Sequence, residues 1–119
     1  ESVVRTSTKD FDQVTGVWAD GRIGTFRGIR AGGSGYGGTA FGTNGVVSLG
    51  NFDGYRPLVV EIVKFYRTGQ PPVAAEETID LYAFMEAADA SKALKGEPVS
   101  IAETIAKARK ASGLRKETK

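Results

Sequence analysis

The sequence predicts an α+β fold: a mainly antiparallel sheet of four to six strands packed by about three C-terminal helices. Three observations carry that prediction. Thirteen of the 16 glycines precede Tyr55, and only Gly69, Gly96 and Gly113 follow it. Turns and strands therefore belong to the first half and helices to the second. Asp20-Gly21 and Asn44-Gly45 each stand between short apolar runs, the pattern of β-hairpins. After Tyr55 the apolar residues recur at helical spacing. The 119 residues are read as one domain: 1–54 the glycine-rich sheet half, 55–112 the helical half, and 113–119 a basic flexible tail.

The elements follow in order. A strand over Val3 to Ser7 comes first. Asp20-Gly21 then joins a strand through Thr15–Ala19 to one through Arg22–Phe26. A two-residue type I′ turn there pairs Trp18 with Ile23, Gly16 with Thr25 and Val14 with Arg27 on one face. Val17, Gly24, Thr15, Phe26, Gly28 and Arg30 take the other. Neither face is cleanly polar, which predicts a sheet covered on both sides. Asn44-Gly45 joins Thr39–Gly42 to Val46–Leu49. Tyr55-Arg56-Pro57 opens the first helix, with Leu58, Ile62 and Phe65 on its stripe, flanked by Val59, Val63 and Tyr66, and Thr68-Gly69-Gln70-Pro71-Pro72 ends it. The second starts near Ala75, with Glu76, Glu77 and Asp80 at the positive end of its dipole. Its stripe is read as Leu81, Phe84, Met85 and Ala88, and Gly96 ends it. Ser100 and Glu103 form a capping box for the third, which carries Ile101, Ile105 and Ala108 on one face.

Composition excludes several chemistries. With no cysteine and no histidine, the chain has no disulfide, thiol nucleophile, zinc finger, imidazole base or histidine-containing triad. Charge is uneven: net +2 over 1–67, −4 over 68–99 and +4 over 100–119. The basic end (Lys107, Arg109, Lys110, Arg115, Lys116, Lys119) has no aromatic residue to stack on bases, so nucleic acid is not expected as a partner. Apolar runs such as Leu58-Val59-Val60 are far too short to cross a bilayer, and neither a membrane span nor a signal peptide is expected. A cytoplasmic location is the working expectation. The chain begins at Glu1 and not at Met, which reads as a processed product or an excised piece.

Gly33-Ser34-Gly35-Tyr36-Gly37-Gly38 meets the spacing G-x-G-x-x-G, but a strand and hairpin turn follow it, with no helix and no βαβ unit. It reads as a connector, so no cofactor-binding residue is assigned. Arg22, Arg27, Arg30 and Arg56 gather around the strand region, with Tyr36 and Tyr55 near in sequence. Guanidinium forks bind carboxylates bidentately, and phenol hydroxyls bind sugar hydroxyls. Arg27, Arg30 and Tyr36 are therefore the candidate substrate-binding residues. The plain alternative is a solvated sheet face with ion pairs to Asp12, Asp20 or Asp53. No catalytic residue and no metal ligand is assigned: Glu76, Glu77 and Asp80 are explained by the helix dipole.

The helical half carries a resemblance. Tyr55-Arg56-Pro57-Leu58 leads through Phe65 to Arg67-Thr68-Gly69-Gln70-Pro71-Pro72. Glu76-Glu77-Thr78 and Ala87-Ala88-Asp89-Ala90-Ser91 follow, then Gly96-Glu97-Pro98-Val99. Over residues 14–105 this resembles the C-terminal domain of the Gfo/Idh/MocA oxidoreductases (glucose–fructose oxidoreductase, inositol dehydrogenase and relatives). There a helix ending F-x-x-G-x-P-P precedes a helix with A-x-x-x-S and a G-x-P-V segment. The resemblance implies an N-terminal Rossmann domain as partner, binding NAD or NADP in the parent protein and supplying a Glu-Lys-Pro lysine. It implies a sugar or polyol pocket completed by this domain, and homo-oligomers through the sheet face. This chain has no Glu-Lys-Pro and no histidine, so no catalytic residue carries over and the fragment alone is expected to be inactive. The alternatives are a free-standing interaction or scaffolding domain and a small-ligand-binding domain without catalysis.

Overall fold

The computed structural model describes residues 1–33, 35–50, 52 and 54–113. The proposed basic tail beyond Gly113, the suggested ion-pair partner Asp53, and Ser34 of the glycine-rich run lie outside the described residues. The fold is α+β, with a four-stranded antiparallel sheet, a two-stranded sheet and three helices. Two compact units form: Glu1–Gly32 with the chain from Ala74 on, and Gly33–Val73. The change in glycine content at Tyr55 thus marks where strands give way to helices, while the units divide after Gly32 and after Val73.

In the first unit, β1 (Ser2–Ser7), β2 (Phe11–Val17), β3 (Ile23–Ile29) and the short β6 (Val99–Ser100) lie in the order β3-β2-β1-β6, every neighbour antiparallel. Helix α2 (Ala75–Ala93) and helix α3 (Ile101–Ser112) pack on one face of this sheet. Val3 and Val14 meet Ala83, Ala87, Ala88 and Ile101 in the core, with Phe84, Val99 and Ile105 half-buried against it. That inner face also carries Arg5, Ser7, Asp12, Gly16, Gly24, Phe26 and Gly28, by the registers Arg5↔Val14, Ser7↔Asp12, Val14↔Phe26 and Gly16↔Gly24. The outer face carries Phe11, Gln13, Thr15 and Val17 opposite Ile29, Arg27, Thr25 and Ile23.

The β2–β3 register differs by one residue from the expected one, and every β3 side chain lies on the opposite face as a result. Trp18 is not opposite Ile23, nor Val14 opposite Arg27. The loop holds three residues, Ala19-Asp20-Gly21, closed by Gly21 N–H to Trp18 O at 3.0 Å and Trp18 N–H to Arg22 O at 2.9 Å. Only Gly21 has positive φ, at 84°, so this is a type I turn followed by a left-handed glycine, not a type I′ turn. Two side-chain arrangements hold that register. The Asp20 carboxylate accepts the Arg22 backbone N–H at 3.1 Å. The Trp18 indole lies over Gly16 and Gly24, where added Cβ atoms would come within 3.2 and 2.9 Å of its ring.

The α2 stripe also differs from the expected one. Ala83, Ala87, Ala88 and Ser91 are the buried residues, while Leu81 and Met85 are 59% and 52% exposed. Small side chains bring the helix axis close enough to β1 for the buried Ser91 hydroxyl to accept the Arg5 backbone N–H at 2.9 Å. Of the expected stripe, Ala88 is buried and Phe84 half-buried against the core, so only Leu81 and Met85 lie off that face. The helix ends at Ala93 in a Schellman-type closure, with Lys95 left-handed at φ 58° and donating its N–H to Lys92 O at 3.1 Å, and the Gly96 N–H reaching Ser91 O at 2.8 Å. Helix α3 starts as expected, with the Ser100 hydroxyl accepting the Glu103 N–H at 3.3 Å. Ile101 is buried and Ile105 half-buried, but Ala108 is exposed.

The second unit contains the hairpin β4 (Gly38–Gly42) and β5 (Gly45–Leu49) and helix α1 (Arg56–Thr68). The hairpin loop is Thr43-Asn44, because Gly42 pairs with Gly45. Pro57 stands in the first turn of α1, and Gly69 at φ 70° caps it with an N–H to Phe65 O of 2.8 Å. No residue of α1 is buried. Among the described residues, no helix is long and apolar enough to cross a membrane.

Candidate functional site

Arg30 follows directly on β3, and its position is fixed by the observed register. The Arg30 backbone N–H donates to Asp10 O at 2.8 Å. Its side chain then closes over the β1–β2 turn. Nε donates to Lys9 O at 3.1 Å, Nη2 donates to Thr8 O and to Phe11 O, and Nη1 to the Asp12 carboxylate.

Asp12 is the centre of the arrangement. Its side chain is 9% exposed and accepts from Ser7 Oγ at 2.5 Å, Arg5 Nε at 3.1 Å and Arg30 Nη1. Arg5 in turn donates Nη1 to Asp89 on α2. Two guanidiniums and two carboxylates therefore link three strands to a helix with no net charge. Among the described residues, no buried side-chain nitrogen or oxygen lacks a hydrogen-bond partner. Each of these charges is used within the chain, which makes the cluster a structural tie.

Arg27 sits on the outer face of β3, its guanidinium 5.1 Å from the centre of the Phe11 ring. Tyr36 lies in the other unit, ahead of β4, and is 86% exposed. Thus Arg30 is committed to Asp12, Arg27 projects from the outer sheet face, and Tyr36 is free to solvent. Arg22 pairs with Asp20 through Nε at 2.7 Å and lies 5.9 Å from the Trp18 ring centre. The Arg22 backbone N–H, followed by its side chain, holds the Asp20 carboxyl below its ordinary value of 3.8. Arg56, with Val59, Val60, Val63, Lys64 and Arg67, lines a shallow hollow of about 440 Å³ along α1. Tyr55 meets Phe52 edge to face at 5.1 Å.

Two features were not singled out from the sequence. One is the Asp12 cluster, signalled only by Ser7 and Asp12 flanking a short loop. The other is a hollow of about 310 Å³ lined by Arg5, Thr6, Ser7, Lys92 and Lys95, where Lys95 adopts a left-handed φ of 58°. No cluster of acidic residues able to hold a metal occurs among the described residues. The glycine-rich run after Gly32 leads into β4, so its described part offers no helix N-terminus to a pyrophosphate. No protein-family model, no curated protein and no solved structure matches the chain.

Proposed function

We propose that this chain is the C-terminal, substrate-binding and oligomerising domain of a cytoplasmic NAD(P)-dependent oxidoreductase of the Gfo/Idh/MocA kind, acting on a sugar, polyol or related hydroxylated compound. The supporting observation is the placement of the motif residues. Gly69 caps α1, Ser91 anchors α2 to β1, Gly96 turns the chain, and Val99 pairs with Val3. The last three are the jobs that a helix–strand closure beside an antiparallel sheet requires. An outer sheet face bearing Phe11, Val17, Ile23 and Ile29 gives the oligomer contact an apolar surface.

Neither the nicotinamide dinucleotide nor any step of hydride transfer is assigned to the described residues in this reading. In this reading the N-terminal Rossmann domain binds the cofactor and does the chemistry. Arg27, on the outer sheet face, contacts the substrate, whereas Arg30 holds the turn that supports Asp12. The test is the intact mass and peptide coverage of the polypeptide from its native cells, followed by fluorescence titration of that product with NADH and NADPH. A product longer by about 100–200 residues, bearing a strand–glycine–helix fingerprint and binding either nucleotide, is expected. A native product that starts near Glu1 and binds neither would overturn the reading in favour of a free-standing interaction domain.

A further inference from the structure

We propose that the β3 edge is a self-association site, where two copies of the chain join their four-stranded sheets into one continuous sheet about a two-fold axis through Phe26. This does not depend on the oxidoreductase reading, and it uses the edge of the sheet, not its outer face.

β3 is an end strand of its sheet. An edge that must stay monomeric is usually blunted by proline, a bulge, inward charge or shortness. β3 runs seven residues with a continuous one-to-one register against β2. It has no proline, and its single charge is Arg27. Both of its faces carry exposed apolar side chains: Ile23 at 69% on the outer face and Phe26 at 61% on the inner.

The strand is also close to self-complementary. Ile23-Gly24-Thr25-Phe26-Arg27-Gly28-Ile29 reads nearly the same in both directions about Phe26, and antiparallel pairing of two copies reverses direction. A two-fold at Phe26 sets Ile23 opposite Ile29, Gly24 opposite Gly28, and Thr25 opposite Arg27 of the second copy. Hydrogen-bond parity agrees. The Arg30 N–H points to β2, bonding Asp10 O, so alternate residues Gly28, Phe26 and Gly24 also turn their N–H and C=O toward β2. Ile23, Thr25, Arg27 and Ile29 turn theirs outward. These four match one another across the proposed axis, giving about eight inter-chain hydrogen bonds, within the usual range for a specific interface. Phe26 then meets its symmetry mate as a non-hydrogen-bonded pair, where side chains approach most closely.

Side chains accommodate the pairing. The Phe26 ring leans over Gly28, where an added Cβ would lie 3.3 Å from it. Gly28 makes room for the ring of its own Phe26, and Gly24 is covered by Trp18. Arg27 is drawn back over Phe11 on β2, away from the edge, and faces an uncharged threonine, so no like charges stand opposite each other.

Sedimentation equilibrium and oxidative cross-linking of the chain test the proposal. No native cysteine competes. Phe26→Cys places two thiols on the axis, with Cα atoms about 4.5 Å apart, inside the range a disulfide spans. It should give a covalent dimer. Ile23→Cys lies six residues out of register with its own mate, about 20 Å away, and should not. Phe26→Lys and Thr25→Pro should each weaken the dimer at least about tenfold with unchanged circular dichroism. A wild-type chain that stays monomeric at millimolar concentration overturns the proposal. So does cross-linking through Thr15→Cys but not Phe26→Cys, which marks face-to-face packing. Slow, concentration-independent exchange of the Thr25 and Arg27 amides would also overturn it, because the edge would then be paired within its own chain.

Discussion

Replacing Asp12 by alanine should be among the most damaging single changes in the first unit. It removes an acceptor shared by Ser7 Oγ, Arg5 Nε and Arg30 Nη1. Losing one partner of a fully buried ion pair costs about 3–5 kcal/mol, because the surviving charge is stranded. Here the survivors are only partly stranded. The Arg5 side chain is 17% exposed but keeps Asp89, and Arg30 is 43% exposed and keeps carbonyls of the β1–β2 turn. The expected cost is therefore about 2–4 kcal/mol, a fall in melting temperature of roughly 10–20 °C for a chain of this size. Asp12→Asn keeps the shape and the Ser7 contact and should cost about half as much. Arg30→Ala leaves Asp12 its Arg5 partner and should cost less again. In the double variant Asp12→Ala/Arg30→Ala the two costs should not add. Urea unfolding followed by the single tryptophan reads this out, since Trp18 stacks on Phe84 at 6.2 Å. An Asp12→Ala chain within about 0.5 kcal/mol of wild type, or strict additivity in the double variant, would refute the tie.

Gly16→Ala should destabilise by about 1–3 kcal/mol, because its Cβ would meet Phe84 Cε2 at 2.6 Å. Phe84→Leu should recover part of that loss but none of the loss from Gly24→Ala, whose clash at 2.9 Å is with Trp18; urea midpoints give both, and equal rescue would contradict the geometry. Ser91→Ala orphans the Arg5 backbone N–H and should cost about 1–3 kcal/mol, with a neutral melting curve as the contrary result. Asp20 has a lowered carboxyl pKa in the folded chain, so its contribution to stability is complete above about 3.8 and fades as pH falls through the lower folded value. A carboxyl-carbon NMR titration should place Asp20 below 3.8. Arg22→Ala should raise it only partway, because the backbone N–H remains, and a wild-type midpoint at or above the ordinary value would count against the assignment.

Helix ends were legible because their chemistry is local. Ser100 with Glu103, Gly69, Gly96 and Gly113 each act within a turn of their own position, and the sequence displays both partners side by side. The β2–β3 register was not legible from Asp20-Gly21, because that pair serves a type I′ turn or the last two positions of a three-residue loop. The choice depends on Trp18 finding Gly16 and Gly24 on one face, a relation that spans the whole hairpin. On α2 the core positions of Phe84 and Ala88 were legible, but those of Ala83, Ala87 and Ser91 were not, for a related reason. Its buried residues are alanines and a serine, and only close approach of helix to strand reveals that the small residues are the inner ones. For the candidate site, ion pairs to Asp12 and Asp20 were a readable alternative. The full cluster was not, because Arg5 and Asp89 lie 84 residues apart.

The placement of the motif residues bears on how far such a resemblance reaches. Ser91 accepts an N–H from β1, Gly96 permits the turn that follows, and Val99 returns beside Val3 as β6. Together they bring the chain from α2 back to the sheet, so changes at these positions act through folding. Among the described residues, none of the three is hydrogen-bonded to Arg27. A chain could therefore keep this closure while its strands and glycine-rich connector changed to suit another substrate. On the function proposed above, exchanging Arg27 should alter substrate preference in the parent enzyme with little change in melting temperature. Exchanging Ser91 should lower stability and leave preference intact. The opposite pattern would mean that the closure, not the exposed sheet face, shapes the pocket.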